Sequence, residues 1–150
     1  MSEGPVTHVP QARAAIENLL NAAAESDEAL KEITVSNAEM PERKRKFVWI
    51  WKAKSKRDFR VIGPAVTPQK EDMLTTMMIW AAKGEGRNPR PAEDKAMEIF
   101  EAVETALRED VTLEDSVLMH HIETMEIEGA LLDQTHGCRI VAIISAQARI

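Results

Sequence analysis

The residues able to do chemistry are few in this sequence, and they are scattered. His120 and His121 are adjacent, so on a strand they face opposite sides and cannot grip one ion together. His136 and Cys138 stand two apart and can share a strand face, but structural zinc takes four ligands at matched spacing, and His8 or Glu123 would join them only through the tertiary fold. Cys138 precedes an apolar run, the setting of a small buried hydrophobe rather than an activated thiolate. No serine sits in a glycine-flanked elbow, and Gly84-Glu85-Gly86 lacks the third glycine of a phosphate-cradling loop. The carboxylate pairs Glu114-Asp115 and Glu126/Glu128 read as solvated faces of an acidic chain. The expectation is a non-enzyme with no catalytic residue, no metal and no cofactor.

The strongest local signal is charge. Arg43, Lys44, Arg45, Lys46, Lys52, Lys54, Lys56, Arg57 and Arg60 place nine of the 19 basic residues within one short stretch, interleaved with Phe47, Trp49 and Trp51. That combination resembles a base-stacking platform with a cationic rim. Yet the aromatic residues alternate as a core face does, and the net charge of −6 opposes general nucleic-acid affinity. A hairpin whose lysines block unwanted strand pairing, or a protein contact, is the better reading. From Glu93 to Glu128 acids dominate, so the chain is polarised and copies of it can meet head to tail.

The elements that position these residues follow from periodicity. Ala12, Ala15, Ile16, Leu19, Leu20 and Ala23 form one helical stripe, with Pro10 suited to the first turn. Ile33–Val35 predicts a short strand, and Phe47–Trp51 and Phe59–Ala65 begin two more, with Lys54–Asp58 as the turn between them. Gly63-Pro64 and Pro68 break the chain, and Met73–Ala82 predicts another strand. A second helix starts near Pro91 and buries Ala96, Phe100, Val103 and Leu107, with Met97 and Ile99 flanking. Strands near Val117–Ile127 and Cys138–Ala148 close the chain, with Gly129 and Asp133–Gly137 between them. The first seven residues and Ala38–Lys46 are expected to be the least ordered.

This order predicts one α+β domain over residues 1–150, a mostly antiparallel sheet of about five strands with two helices on one face. At 150 residues, 44% hydrophobic, the chain can bury a substantial core, and one cysteine excludes an intrachain disulfide. The start Met1-Ser2-Glu3-Gly4-Pro5 has no apolar run and no stretch approaches a membrane span, so a soluble cytoplasmic protein is expected. Five strands make a sheet roughly 24 Å wide, of which two helices cover one face. Phe47–Trp51, Met77–Trp80 and Ile140–Ile144 are apolar on both faces, so the second face must be covered by the sheet itself or by another subunit.

The pattern resembles the tail terminator (tail completion) proteins of long-tailed bacteriophages. The resemblance is carried by the opening helix with Ala15-Ile16-Glu17-Asn18-Leu19-Leu20, the strand Ile33-Thr34-Val35, the second helix and turn from Phe100 to Leu113, and the closing strand Ile140–Arg149. It spans nearly the whole chain and rests on pattern rather than on a diagnostic motif. It implies a virion structural protein made in the host cytoplasm, forming a ring, typically of six copies, on the head-proximal end of the tail tube. Such a ring stops tube polymerisation and joins the tube protein to the head or neck connector, with DNA passing through unread. Arg43, Lys44, Arg45, Lys46, Trp49, Trp51, Lys54, Lys56 and Arg57 are the expected subunit or tube interface. Another neck or connector subunit, or a nucleic-acid-binding module built on residues 43–60, are the alternatives.

Overall fold

The computed structural model describes residues 7–41, 44–62, 65–82, 90–113, 117–132 and 135–149, with only the backbone of residues 57–62, 65–69, 131–132, 135 and 149. Helix α1 (Val9–Ala23) and a one-turn helix α2 (Glu28–Lys31) precede the short strand β1 (Thr34–Ser36). A long hairpin follows, β2 (Lys46–Ile62) with β3 (Ala65–Ala81), then helix α3 (Arg90–Arg108) and the final pair β4 (Met119–Leu132) and β5 (Thr135–Arg149). The strands form one mixed sheet in the order β1-β2-β3-β5-β4, parallel between β1 and β2 and antiparallel elsewhere. The fold is α+β, as the pattern predicts.

The three described helices lie on one face. α1 packs on β1 and β2, while α3 crosses β3 and β5. The stripe of α1 buries Ala12, Ala15, Ile16 and Leu20, and that of α3 buries Ala96, Ile99, Val103 and Leu107 among others. Ile99 is wholly buried rather than flanking. Beneath them the sheet offers Val48 and Ile50 from β2, Met73, Met77 and Ile79 from β3, and Ile140, Ala142 and Ile144 from β5. α2 was not expected. It is short and is nucleated by Asp27, whose carboxylate accepts the N–H of Ala29 at 3.0 Å.

Three expectations about the strands are corrected. Lys54–Asp58 is not a turn: β2 runs through it unbroken, and the hairpin closes between Ile62 and Ala65, which pair. The run is polar because most of its described side chains are exposed, not because the chain reverses there. Pro68 does not break the chain either. It pairs with Phe59 at a register shift, beyond Lys70, where pairing with β5 ends. There β3 has a single neighbouring strand, the edge setting in which proline is tolerated. Gly129 and Gly137 lie inside β4 and β5, paired with Cys138 and Ala130. At Gly137 a Cβ would fall 2.5 Å from the Ala81 carbonyl oxygen and 2.7 Å from the Trp80 ring, so only glycine lets that ring lie against the strand.

Two polar anchors fix α1 to the sheet. Glu71 follows the inward alternation of Met73, Thr75 and Met77 and is fully buried. Its carboxylate accepts from the hydroxyls of Thr7 and Ser55 and, at 2.7 Å, from the backbone N–H of His8. Burial alone would raise its pKa; the donors Ser55, Thr7 and His8 outweigh that and hold it below the ordinary glutamate value. Arg13 is the second anchor. Its Nη2 lies 2.8 Å from the carbonyl oxygen of Asn37, 2.9 Å from that of Ile50 and 3.2 Å from that of Trp51.

Candidate functional site

Arg13 reaches Ile50 and Trp51 because β2 is bulged there. Ile50 pairs with Met77 and Lys52 with Thr76, so Trp51 is an extra residue. The bulge changes the phase of the strand. Val48 and Ile50 point toward the helices, yet past Trp51 it is Ala53 and Ser55 that sit opposite the inward residues Thr75 and Met73. Lys52, Lys54 and Lys56 are thereby turned to the face the helices leave free, on the same side as Phe47 and Trp49. β4 carries a matching bulge at Glu123, between the pairs Ile122–Ile144 and Thr124–Ile143. Both bulges fall within one residue of the row Thr76–Ile143.

The free face has three zones. At one end Phe47, Met78, Trp80 and Ala82 form a small second core, covered by Met40, Trp49, Ala130 and Val141. The Asn37–Pro41 segment is therefore docked rather than loose, and Ala38 gives its carbonyl to the Trp49 indole N–H at 3.3 Å. In the middle, Leu74 and Thr76 of β3 and Ile143 and Ser145 of β5 are half-buried, and among the described residues nothing packs over them. The described strands form one open sheet, with β1 and β4 as its outermost members. The third zone is the charged margin on either side.

The basic margin is β2. The rings of Trp49 and Trp51 stack at 4.9 Å between centroids, Trp51 is 40% exposed, and the Lys52 ammonium sits 4.6 Å over its ring. Lys54 and Lys56 extend the row, both exposed. The acidic margin is β4, where Glu126 and Glu128 pair across from Val141 and Arg139 and thus share this face. Arg139 donates to Glu128 through both Nε, at 2.9 Å, and Nη2. Met119, more than half exposed, shares this face, while Met125 and Ile127, each more than a third exposed, stand opposite the inward Ala142 and Ile140.

Of the expected interface residues, the fold brings together Trp49, Trp51, Lys54 and Lys56. It adds Lys52, which the bulge turns to the same side. Lys44 and Arg45 are exposed in the segment leading into β2. Lys46 lies before the bulge, pairs with the inward Ala81 and forms an ion pair at 3.1 Å with Glu32 next to α2. Arg43 and the side chain of Arg57 lie outside the described residues.

The candidate ligands stay apart. His121 is on the free face, while the Nε2 of His120 lies 2.9 Å from the Asp110 carbonyl oxygen. His136 is exposed and Cys138 buried. Burial pushes the Cys138 thiol up, and the nearby Glu93 carboxylate adds to this. Among the described residues no three His, Cys, Asp or Glu side chains are placed to hold a metal ion. A shallow cleft of about 270 Å³ between the α1–α2 turn and α3 is walled by Asp27, Glu28, Thr105 and Glu109. No described helix is long and apolar enough to cross a membrane. The sequence matches no protein-family model and none of the curated proteins with which it was compared.

Proposed function

We propose that this chain is an assembly subunit of a phage virion, a tail terminator that forms a ring on the head-proximal end of the tail tube, stops its polymerisation and joins it to the neck. The observation that carries the reading is the sheet face whose middle, with Leu74 and Ile143 beside Thr76 and Ser145, the described residues leave uncovered. Such a face belongs to a protein that works in contact with others. The element order adds support, since an opening helix, a short strand with further strands after it, a second helix and a closing strand pair is the order on which the resemblance rests. The function is a mechanical one, in which the ring acts as cap and adaptor and DNA passes through it unread. A different neck or connector subunit would use the same physics with other partners.

The test is the native mass of the purified chain across concentration and Mg²⁺, with negative-stain images of the heaviest species. Six copies of the 16.8 kDa chain give a ring of about 101 kDa. A species of that mass imaging as a ring is the expected result; a strict monomer at every concentration overturns the reading.

The stacked Trp49 and Trp51 beside Lys52, Lys54 and Lys56 favour one second reading, a surface for single-stranded nucleic acid. Its mark is a steep loss of affinity for an oligonucleotide with added salt, through counterion release. Absence of binding at low salt removes it.

A further inference from the structure

We infer that the free sheet face is covered by a second copy of this chain, seated so that the β2 lysines of one copy meet the β4 glutamates of the other. The inference rests on self-association as proposed above, and not on where the assembly sits in a virion.

The occupant must come onto the face rather than add to an edge. β1 pairs only with Phe47–Trp49, so β2 is an edge strand from Ile50 onward, and β4 is the opposite edge. Both edges are kinked by bulges at nearly the same height. At the β2 bulge, Arg13 already takes up the carbonyls of Ile50 and Trp51. Bulges, lysines and occupied carbonyls are what blunts an edge against strand addition. The face offers instead Leu74, Thr76 and Ile143, half-buried and uncovered.

Its charges then select the occupant. Lys52, Lys54 and Lys56 have no ion-pair partner among the described residues, and neither have Glu123 and Glu126 on the far margin. Three strand spacings, about 14 Å, separate β2 from β4, too far for the two rows to pair within one sheet. A polyanion seated across the whole face would gain at the lysines and be repelled at the glutamates. A second copy carries both rows at the same spacing, so each row finds its opposite across the half-buried Leu74, Thr76, Ile143 and Ser145. The contact so made is two-fold and closes a pair, and a ring of six takes three such pairs joined through a different surface. Turning the copies to do this crosses their strands steeply, within the range of sheet-on-sheet packing.

The test is sedimentation of three proteins: the wild type, the triple variant Lys52→Glu/Lys54→Glu/Lys56→Glu, and the double variant Glu123→Lys/Glu126→Lys. All five positions are exposed, and thermal unfolding checks that each variant is folded. The wild type is expected to self-associate, more weakly as salt is raised. Each variant alone is expected to lose at least tenfold in association, and an equimolar mixture of the two to recover it in mixed species. If the wild type assembles and both variants assemble equally well, this contact is wrong while the assembly reading stands. A wild type that is monomeric throughout overturns both. A mixture that stays monomeric overturns the charge pairing. If the lysine reversal abolishes oligonucleotide binding but leaves assembly intact, the face belongs to nucleic acid instead. If a variant fails to fold, the salt dependence of wild-type association decides, and a flat response overturns the proposal.

Discussion

Replacing Glu71 by glutamine tests how α1 is held to the sheet. The carboxylate takes three donors, the hydroxyls of Thr7 and Ser55 and the N–H of His8, from two places in the chain, the residues just before α1 and strand β2. Hydrogen bonds to a charged group contribute about 1.5–3 kcal/mol each at most, with the burial of the charge set against them. Glutamine keeps the shape and one acceptor oxygen, enough for the His8 N–H, and its amide can donate to the two hydroxyls. The loss is therefore expected to be about 1.5 kcal/mol at pH 7, against about 3 kcal/mol for Glu71→Ala, which strands all three donors. The pH dependence is the sharper readout. The native pKa lies below that of the unfolded chain, so the unfolded state binds the proton first on acidification. The carboxylate's stabilisation is thus complete above about pH 4.3, the free glutamate value, and is lost as pH falls through the native value. Urea unfolding followed by tryptophan fluorescence is expected to show a wild-type advantage over Glu71→Gln that is constant from pH 7 to 5 and narrows steadily below. A gap that persists undiminished in acid, or none at pH 7, would refute this account.

Other expectations concern the bulge and the free face. Arg13→Met removes the donor to the carbonyls of Ile50 and Trp51 and is expected to cost about 2 kcal/mol in urea unfolding. Trp49→Ala removes a half-buried, stacked side chain and is expected to cost about 2 kcal/mol, less than for a fully buried tryptophan. Trp51→Ala is expected to change monomer stability by under about 1 kcal/mol, its effect appearing in the assembly measured by sedimentation. Gly137→Ala pushes a methyl into the Ala81 carbonyl and the Trp80 ring and is expected to cost about 1–3 kcal/mol, read as a lowered thermal midpoint.

The elements were legible because their periodicities are strong. The α1 stripe, the second helix and the two-sided strands Phe47–Trp51 and Ile140–Ile144 follow directly from apolar spacing. What escaped is what a bulge hides. Strict alternation past Ile50 would send Lys52 and Lys54 toward the helices, and avoiding that conflict makes Lys54–Asp58 look like a turn. One unpaired residue at Trp51 resolves it without a turn. Pro68 read as a breaker because the end of β5, which frees that side of β3, is a tertiary fact. Glu71 leaves a readable trace, an acid in the inward phase of Met73, Thr75 and Met77. Arg13 left none, because its partners are carbonyls exposed by the bulge. Of the free face, the basic side was visible as a cluster, while the placement of Glu126 and Glu128 on that same face needed the sheet order.

The paired bulges also set how this sheet tolerates gain and loss of single residues. Removing one residue from an ordinary strand inverts every side chain beyond the cut. Removing Trp51 would not, because it is the surplus member of its pair and its neighbours already alternate correctly without it. The same holds for Glu123. Trp51 and Glu123 are thus silent deletion points on the two margins, at the height of Thr76 and Ile143. A variant lacking both residues is expected to fold with the same inward and outward side chains but a flatter sheet, since bulges deepen the local twist. Deleting Ala53 instead would throw the lysine row beyond it out of step. The line joining the two bulges is a crease, a place where this family of shapes can change curvature by losing a residue while leaving its core unaltered.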